Sequence, residues 1–431
     1  MTLTLLPTEL IEFIAYFLDL ESLRSIRLAS STLQRQTAHP FKERCFRQQH
    51  LEWTTDSFAR LLDVAQHASF GCALQTLVID ATPQHSINIW QLRKRLSEAQ
   101  AVVSESSPSF ATQALGEQHM NECKDAEHVA TYFNESRHDR KCLETVFRLL
   151  GSIQQIIFEY EGMDKKYSKF GRRYCESSQH EMSRPFVSVM AAIASSNVHV
   201  KAITIHENKN HGAISIGRLE SLAPYLRKFD ITLANLVTLQ LDLRDWRYPD
   251  SGFELDSNRA PFVVRFLAKA RNIRNLDLSC YSSLENDLFG EMARNCTFSN
   301  LETCRLSLFR LNQASDLIAF LGHSSTNLRV LTLSQFRMMD EQVTWANLFR
   351  TLAEDGDMLT ALETLHLQDL FTQSGSRVIM GDTHWRMTIY TEMAIRGEDW
   401  RSRVLDLIHD FMEGGSGPAW HQAAVAYPFI A

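Results

Sequence analysis

Nothing in this 431-residue chain approaches the roughly 18–20 uninterrupted apolar residues that a membrane-spanning helix requires. A membrane partner is therefore not expected. Positive charge is in deficit: Lys plus Arg is 44 against 51 for Asp plus Glu, a net charge of −7. A chain of that balance has no overall attraction for nucleic acid. The phosphate-cradling patterns G-x-G-x-x-G and G-x-x-x-x-G-K-[ST] are missing, as are the G-x-S-x-G nucleophile turn and the H-E-x-x-H zinc pair. The expectation is a chain that is not an enzyme and carries no cofactor. The cysteines, at 45, 72, 123, 142, 175, 280, 296 and 304, include no C-x-x-C pair. The apolar start has no basic leader and is interrupted by Glu9, Glu12 and Asp19, so it does not read as a secretory signal. Reduced thiols in the cytoplasm or nucleus follow. What is present is 44% apolar and 22% charged, the composition of a folded globular chain.

The chain repeats itself. An L-x-x-L-x-L pattern, with substitutions, recurs at Leu74/Leu77/Ile79, Ile153/Ile156/Phe158, Val200/Ile203/Ile205, Leu236/Leu239/Leu241, Ile273/Leu276/Leu278, Leu301/Cys304/Leu306, Leu328/Leu331/Leu333 and Leu362/Leu365/Leu367. Between the late occurrences lie APFVVRFLAKA, ENDLFGEMAR, NQASDLIAFLGH and EQVTWANLFRTLAED, each with helical periodicity. A short strand followed by a helix, repeated, is the unit of a leucine-rich solenoid. Alternate residues of a strand point to opposite sides. The apolar positions would build a buried spine, with parallel strands on the concave face and helices on the convex one. The array is degenerate. The intervals Ile273 to Leu301 and Leu301 to Leu328 are 28 and 27 residues, but the others exceed the usual repeat length of about 20–29. The usual Asn or Cys past the last motif position is replaced by Arg244, Tyr281, Phe309, Phe336 and Leu370. Apolar packing is expected to hold those turns instead.

Residues 97–142, rich in Ser, Glu, Gln and His, read as a polar insertion, and 164–184 as a second long loop. After the last motif, HWRMTIYTEMAIRGEDWRSRVLDLIHDFME reads as a connector and an amphipathic helix that caps the open end of the spine. GGSGP at 414–418 then breaks the chain. The expected class is α/β: a helical unit over 1–50, repeats over 51–412 and a tail over 413–431.

Residues 5–46 differ from the repeats. Pro7 suits a helix start. Leu10, Ile14 and Leu18 follow at i, i+4 and i+8, and Ile11, Phe13, Tyr16 and Phe17 add apolar surface around the helix. Asp19 can cap a second helix carrying Leu23, Ile26, Leu28 and Leu33. Pro40 is expected to redirect the chain into a third, opened by Phe41, Cys45 and Phe46. Three short helices cannot enclose that much apolar surface. Leaving about five such side chains wet forgoes roughly 7–15 kcal/mol, so the repeats or another protein should cover some of it. The segment LLPTELIEFIAYFLDLESLRSIRLAS resembles an F-box, the helical motif of substrate receptors in Skp–cullin–F-box ubiquitin ligases. The matching positions are Leu6, Pro7, Glu9, Leu10, Ile14, Leu18, Leu23, Arg27 and Leu28. SFARLLDVAQHASFGCALQTLVID is similar to the segment joining F-box and first repeat in many F-box proteins of filamentous fungi. After Leu28 the chain departs from the family: Ser30, Ser31, Thr32 and Leu33 stand where a bulky aromatic is common.

The resemblance implies that Leu6, Pro7, Leu10, Ile14, Leu18, Leu23 and Leu28 dock on a Skp-type adaptor, and through it a cullin, while the repeats hold a substrate protein for ubiquitination. The outward positions of the motifs supply the substrate face: Thr204, His206, Thr238, Gln240, Asp242, Asn275, Asp277, Thr303, Arg305, Thr332, Ser334, Thr364 and His366. This row is polar, mixed in charge and poor in large aromatics, which suits protein recognition through hydrogen bonds. The alternative is a leucine-rich interaction scaffold outside any ligase, with residues 5–46 as its end cap. His119, Cys123 and His128 match no zinc spacing, so no metal is expected. Lys165, Lys166, Lys169, Arg172 and Arg173, interleaved with Tyr167, Phe170 and Tyr174, form a basic-aromatic cluster. In an acidic chain it reads as a solvated loop or a contact for an acidic peptide before a nucleic-acid site.

Overall fold

A computed structural model describes residues 3–81, 121, 128, 131–133, 135–159, 176–205, 214–245, 260–282, 287–380, 392–397, 399–407 and 412–413. It opens with four helices, α1 (Thr8–Phe17), α2 (Leu20–Ala29), α3 (Ser31–Gln36) and α4 (Ala38–Phe46), where the sequence suggested three. The extra helix, α3, is capped by Ser30, whose Oγ accepts the Thr32 N–H at 3.2 Å. Pro40 does not redirect the chain. It sits buried in the first turn of α4, where its missing N–H costs nothing. Asp19 caps α2, accepting the Ser22 N–H at 2.6 Å.

The remainder is α/β. Its strands are β1 (Gln48–Leu51), β2 (Thr76–Asp80), β3 (Ser152–Glu159), β4 (His199–Ile205), β5 (Ile214–Ser215), β6 (Thr238–Asp245), β7 (Asn275–Ser282), β8 (Thr303–Ser307), β9 (Arg310–Leu311), β10 (Val330–Ser334), β11 (Arg337–Met338), β12 (Thr364–Gln368), β13 (Val378–Ile379), β14 (Glu392–Arg396) and β15 (Met412–Glu413). The main sheet runs β1-β2-β3-β4-β6-β7-β8-β10-β12-β14, with β5 paired to β6 off that path. All its pairs are parallel except β12 with β14. Parallel neighbours require crossovers. Helices supply them: α5 (Thr55–Gln66), α6 (His138–Leu150), α7 (Glu176–Ser196), α8 (Ile216–Leu219), α9 (Phe229–Thr232), α10 (Phe262–Leu267), α11 (Leu288–Asn295), α12 (Ala314–Gly322) and α13 (Trp345–Glu354), with α14 (Trp400–Leu407) after β14.

The periodicity explains the core. All the L-x-x-L-x-L motifs run into strands of this sheet. Their second residues, Leu77, Ile156, Ile203, Leu239, Leu276, Cys304, Leu331 and Leu365, stand in one continuous row of register, which Ile395 of β14 extends. Every residue of that row is buried, as are the first and third motif residues. Each such side chain contributes about 1.5–3 kcal/mol of transfer free energy. The strand exits repeat as well. Leu308, Gln335 and Asp369 follow β8, β10 and β12 with φ of 65°, 54° and 50°, a left-handed turn costing roughly 1–2 kcal/mol for a side-chain-bearing residue. Phe309, Phe336 and Leu370 come next and are buried, so apolar packing holds these turns. At the strand entries, Asn272 Nδ2 donates to Ala234 O at 2.7 Å, Asn300 Nδ2 to Asn272 Oδ1 at 3.4 Å and Asn327 Nδ2 to Ser299 O at 2.8 Å.

Both sheet ends differ from the sequence reading. β1 adds a strand before the first motif, of which only Leu51 is buried. At the other end the connector contributes antiparallel β14 before the capping helix α14, which buries Trp400 and Val404. Of the expected insertion at 97–142, the described part shows α6 already under way from His138, with Asp139 buried. The expected loop at 164–184 is helical from Glu176 onward.

Candidate interaction site

Helix α1 carries two apolar stripes. Ile11 and Ala15 face inward and are buried against the other helices, together with Leu23 and Leu33. Leu10, Phe13, Ile14 and Phe17, at i, i+3, i+4 and i+7, lie on the other side and remain exposed: 50% for Leu10, 62% for Phe13, 37% for Ile14 and 75% for Phe17. The Phe13 and Phe17 rings meet edge to face at 4.9 Å. Leu5 at 74% and Leu28 at 88% add to the apolar surface of the same four-helix unit. An i, i+3, i+4, i+7 stripe is the form in which a helix presents anchors to a groove.

The stripe is held in place from behind. Arg44 donates to the carbonyl oxygens of Ala15, at 3.3 Å, and of Leu18, a cation on the C-terminal carbonyls of α1. Gln36 Nε2 donates to Leu6 O at 3.4 Å. Arg27 donates to Gln34 O at 2.9 Å and lies 3.9 Å above the Phe41 ring. Burial lowers its pKa from the ordinary guanidinium value. Of the residues assigned to docking, Pro7, Leu10, Ile14 and Leu28 are exposed, while Leu6 and Leu18 are half-buried. Leu23 is a correction: it is fully buried among the helices and is out of a partner's reach. Phe13, Phe17 and Leu5 belong to the surface in its place, and the i, i+3, i+4, i+7 spacing was the signal for the first two.

The sheet side opposite the motif residues carries the polar positions. Thr238, Asn275, Thr303 and Thr364 share one row with Val330. Gln240, Asp277, Arg305, Thr332 and His366 form the next. Asp242, Ser279, Ser307, Ser334 and Gln368 form a third. Thr204 lies on β4, and His206 falls outside the described residues. These side chains bond laterally: Gln155 Nε2 to Thr204 Oγ1 at 3.2 Å, Asn275 Nδ2 to Thr238 Oγ1 at 3.2 Å, Gln240 Nε2 to Asp277 Oδ2 at 3.4 Å and Ser334 Oγ to Gln368 Oε1 at 3.4 Å. Gln240 Oε1 also accepts the Ile205 N–H at 3.3 Å. There the β4–β6 pairing covers only Ala202–Thr238 and Ile203–Leu239, and the side chain replaces a missing ladder partner. Most of the row is thereby half-buried, and Arg305 is exposed.

Among the described residues, no three His, Cys, Asp or Glu side chains gather closely enough to hold a metal ion. His119, Cys123 and the basic-aromatic cluster of 165–174 fall outside the described residues. Cys280, Cys296 and Cys304 are buried. Burial pushes the Cys296 thiol up to about 12 and raises that of Cys304 further, helped by the Asp277 charge. Neither is a nucleophile at neutral pH. Trp345, Phe336 and Phe371 are core residues, with Trp345 Nε1 donating to Phe371 O at 2.9 Å. No described helix is long and apolar enough to cross a membrane. Comparison with known proteins returns no matching family model and no matching curated protein.

Proposed function

We propose that this chain is a substrate receptor of the Skp–cullin–F-box type. The four N-terminal helices dock on a Skp-type adaptor, and the strand–helix repeats behind them form a leucine-rich solenoid whose polar face holds a substrate protein. The observation that carries this reading is the outward stripe of Leu10, Phe13, Ile14 and Phe17. A soluble surface rarely keeps so much contiguous apolar area without a partner for it. The resemblance around Leu6, Pro7, Glu9 and Leu10 supplies the partner's identity. On this reading the chain makes and breaks no bond. It raises the effective concentration of the substrate's lysines near a charged conjugating enzyme.

Co-purification of the full chain with a Skp-type adaptor tests the proposal. Leu10→Asp with Ile14→Asp should abolish it while the chain still melts cooperatively, at a somewhat lower temperature because Leu10 is 50% and Ile14 37% exposed. Adaptor binding that survives the double substitution refutes the docking surface. A scaffold outside any ligase, with α1–α4 as its end cap, is favoured by one contact: the Phe46 ring on α4 stacks on Phe70 at 4.1 Å beside the first strand. That alternative predicts no adaptor in the purified complex.

A further inference from the structure

His138 and Cys142 stand one turn apart on α6, at i and i+4, the spacing at which side chains of a helix meet. Cys142 Sγ lies 3.4 Å from His138 Nε2 and 3.9 Å from its Nδ1. Both residues are half-buried. The imidazole packs among three rings, with centroid distances of 5.8 Å to Tyr132, 6.1 Å to Phe133 and 6.4 Å to Phe58 of α5. Arg137, in the left-handed region at φ 52°, sets His138 as the first residue of the helix, and Ser136 Oγ accepts the His138 N–H at 3.2 Å. The neighbouring carboxylate of Asp139 is turned into the core, where Arg184 and Ser188 hold it. Burial, followed by the Asp139 charge, raises the Cys142 pKa. The sulfur is therefore a thiol at neutral pH, and its contact with the imidazole is a weak hydrogen bond.

Thiolate sulfur and imidazole nitrogen are the ligand atoms that zinc takes most readily. The separation of the two atoms selects the geometry. Zinc–sulfur and zinc–nitrogen bonds of about 2.3 and 2.05 Å, set at a tetrahedral angle, put the ligand atoms about 3.5 Å apart, whereas a linear ion with the same bonds needs about 4.3 Å. The pair already stands at the tetrahedral distance. We propose that His138 Nε2 and Cys142 Sγ form a two-ligand site for a zinc ion at the start of α6, with water in the other two positions. On binding, the S–H bond breaks, its proton passes to solvent and a Zn–S bond forms in its place. A hard cation such as magnesium takes oxygen ligands and does not compete for this pair. Structural zinc centres have four protein ligands; with two, the ion is held reversibly and exchanges with solvent. It staples the first turns of α6, the helix that packs between α5 and α7. The site is separate from the docking stripe and from the polar sheet face, and it stands whether or not the receptor reading holds.

Titration of the reduced full chain with cobalt(II), a coloured stand-in for zinc, tests the site. A sulfur-to-cobalt charge-transfer band should grow to saturation, and added zinc should bleach it. Cys142→Ser should remove the contribution of one ion per chain. His138→Gln should weaken binding about tenfold or more, the least that losing even an outer-shell partner costs a metal site. Cys72→Ser should leave the titration unchanged. A band undiminished in Cys142→Ser places the metal on other cysteines and overturns the site. Unaltered affinity in His138→Gln overturns the pairing. No saturable binding of cobalt or zinc overturns the proposal, and the contact is then a plain thiol–imidazole hydrogen bond. The thermal melt gives a second readout. Saturating zinc should raise the wild-type midpoint by mass action and leave those of His138→Gln and Cys142→Ala in place, so the conclusion does not depend on the folding of one variant. A rise of equal size with magnesium, or in both variants, overturns the assignment of thiolate and imidazole as ligands.

Discussion

Helix α1 offers a direct test, because its two apolar stripes predict opposite responses to the same kind of truncation. A phenylalanine side chain buries about 150–250 Å² when fully enclosed. Phe17 leaves 75% of its surface exposed, so it withdraws on the order of 50 Å² from water. At about 25 cal/mol per Å² that is about 1 kcal/mol. Phe13→Ala and Phe17→Ala should each cost no more than about 1–2 kcal/mol, the edge-to-face contact between the rings included. The two losses will not add, since the rings share that contact. Leu23 is fully buried in the same unit, and Leu23→Ala should cost about 2–5 kcal/mol. Urea unfolding reads both, as a shift of midpoint at unchanged m-value. Phe17→Ala costing as much as Leu23→Ala would mean that another part of the chain covers the outward stripe. The surface would then be an internal contact, and the argument for a partner would fail.

Three further outcomes follow from the packing. Asp139, buried between α6 and α7, accepts from Arg184 Nε at 3.0 Å and Ser188 Oγ at 2.9 Å; Asp139→Ala removes the carboxylate from this buried ion pair and should cost up to about 3–5 kcal/mol in a denaturant melt. Burial, followed by the Asp287 charge, raises the Asp316 pKa despite Arg294 at 3.7 Å. Its ionisation therefore opposes folding as pH rises from the unfolded carboxylate pKa through the folded one, so Asp316→Asn should stabilise the protein near neutral pH and lose that advantage at pH below the ordinary carboxylate range; an advantage independent of pH refutes the charge argument. In native protein a maleimide should label exposed Cys72, but buried Cys280, Cys296 and Cys304 only on unfolding, as peptide mapping would read.

The repeats were legible because burial of one sheet side forces period-two spacing on every strand, and Leu331/Leu333 or Leu365/Leu367 display it openly. The strands at the ends were not. β1 has the polar sequence QQHL and pairs because Arg47 O accepts the N–H groups of Gln75 and Thr76, a constraint that no side-chain pattern records. β14 shows alternation only at Met393 and Ile395, too short to separate from a connector. The strand-entry asparagines were visible in retrospect: Asn235, Asn272, Asn300 and Asn327 each precede the first motif residue in NLVTL, NIRNL, NLETC and NLRVL. The exposed apolar surface of the N-terminal helices was half legible. Composition indicated more apolar surface than the N-terminal helices could enclose, but which side chains faced out depended on the added helix α3 and on Arg44.

The same contacts bear on how the two proposed surfaces work together. The four helices are not tethered by a linker. Phe46 at the end of α4 stacks on Phe70 at 4.1 Å, Phe70 stacks on His67 at 4.0 Å, and Phe41 approaches Phe70 at 6.5 Å. Arg47, the residue after α4, then enters the strand ladder through its carbonyl. A flexible joint would let the proposed cargo face sample many distances from the proposed docking stripe, and effective concentration falls as the accessible volume grows. Here the aromatic stack fixes the direction in which the helices leave the sheet, and Arg27 over Phe41 fixes α2 to that stack. A receptor that works by proximity alone needs such a joint, because its contribution to rate is the geometry it imposes between partner and cargo.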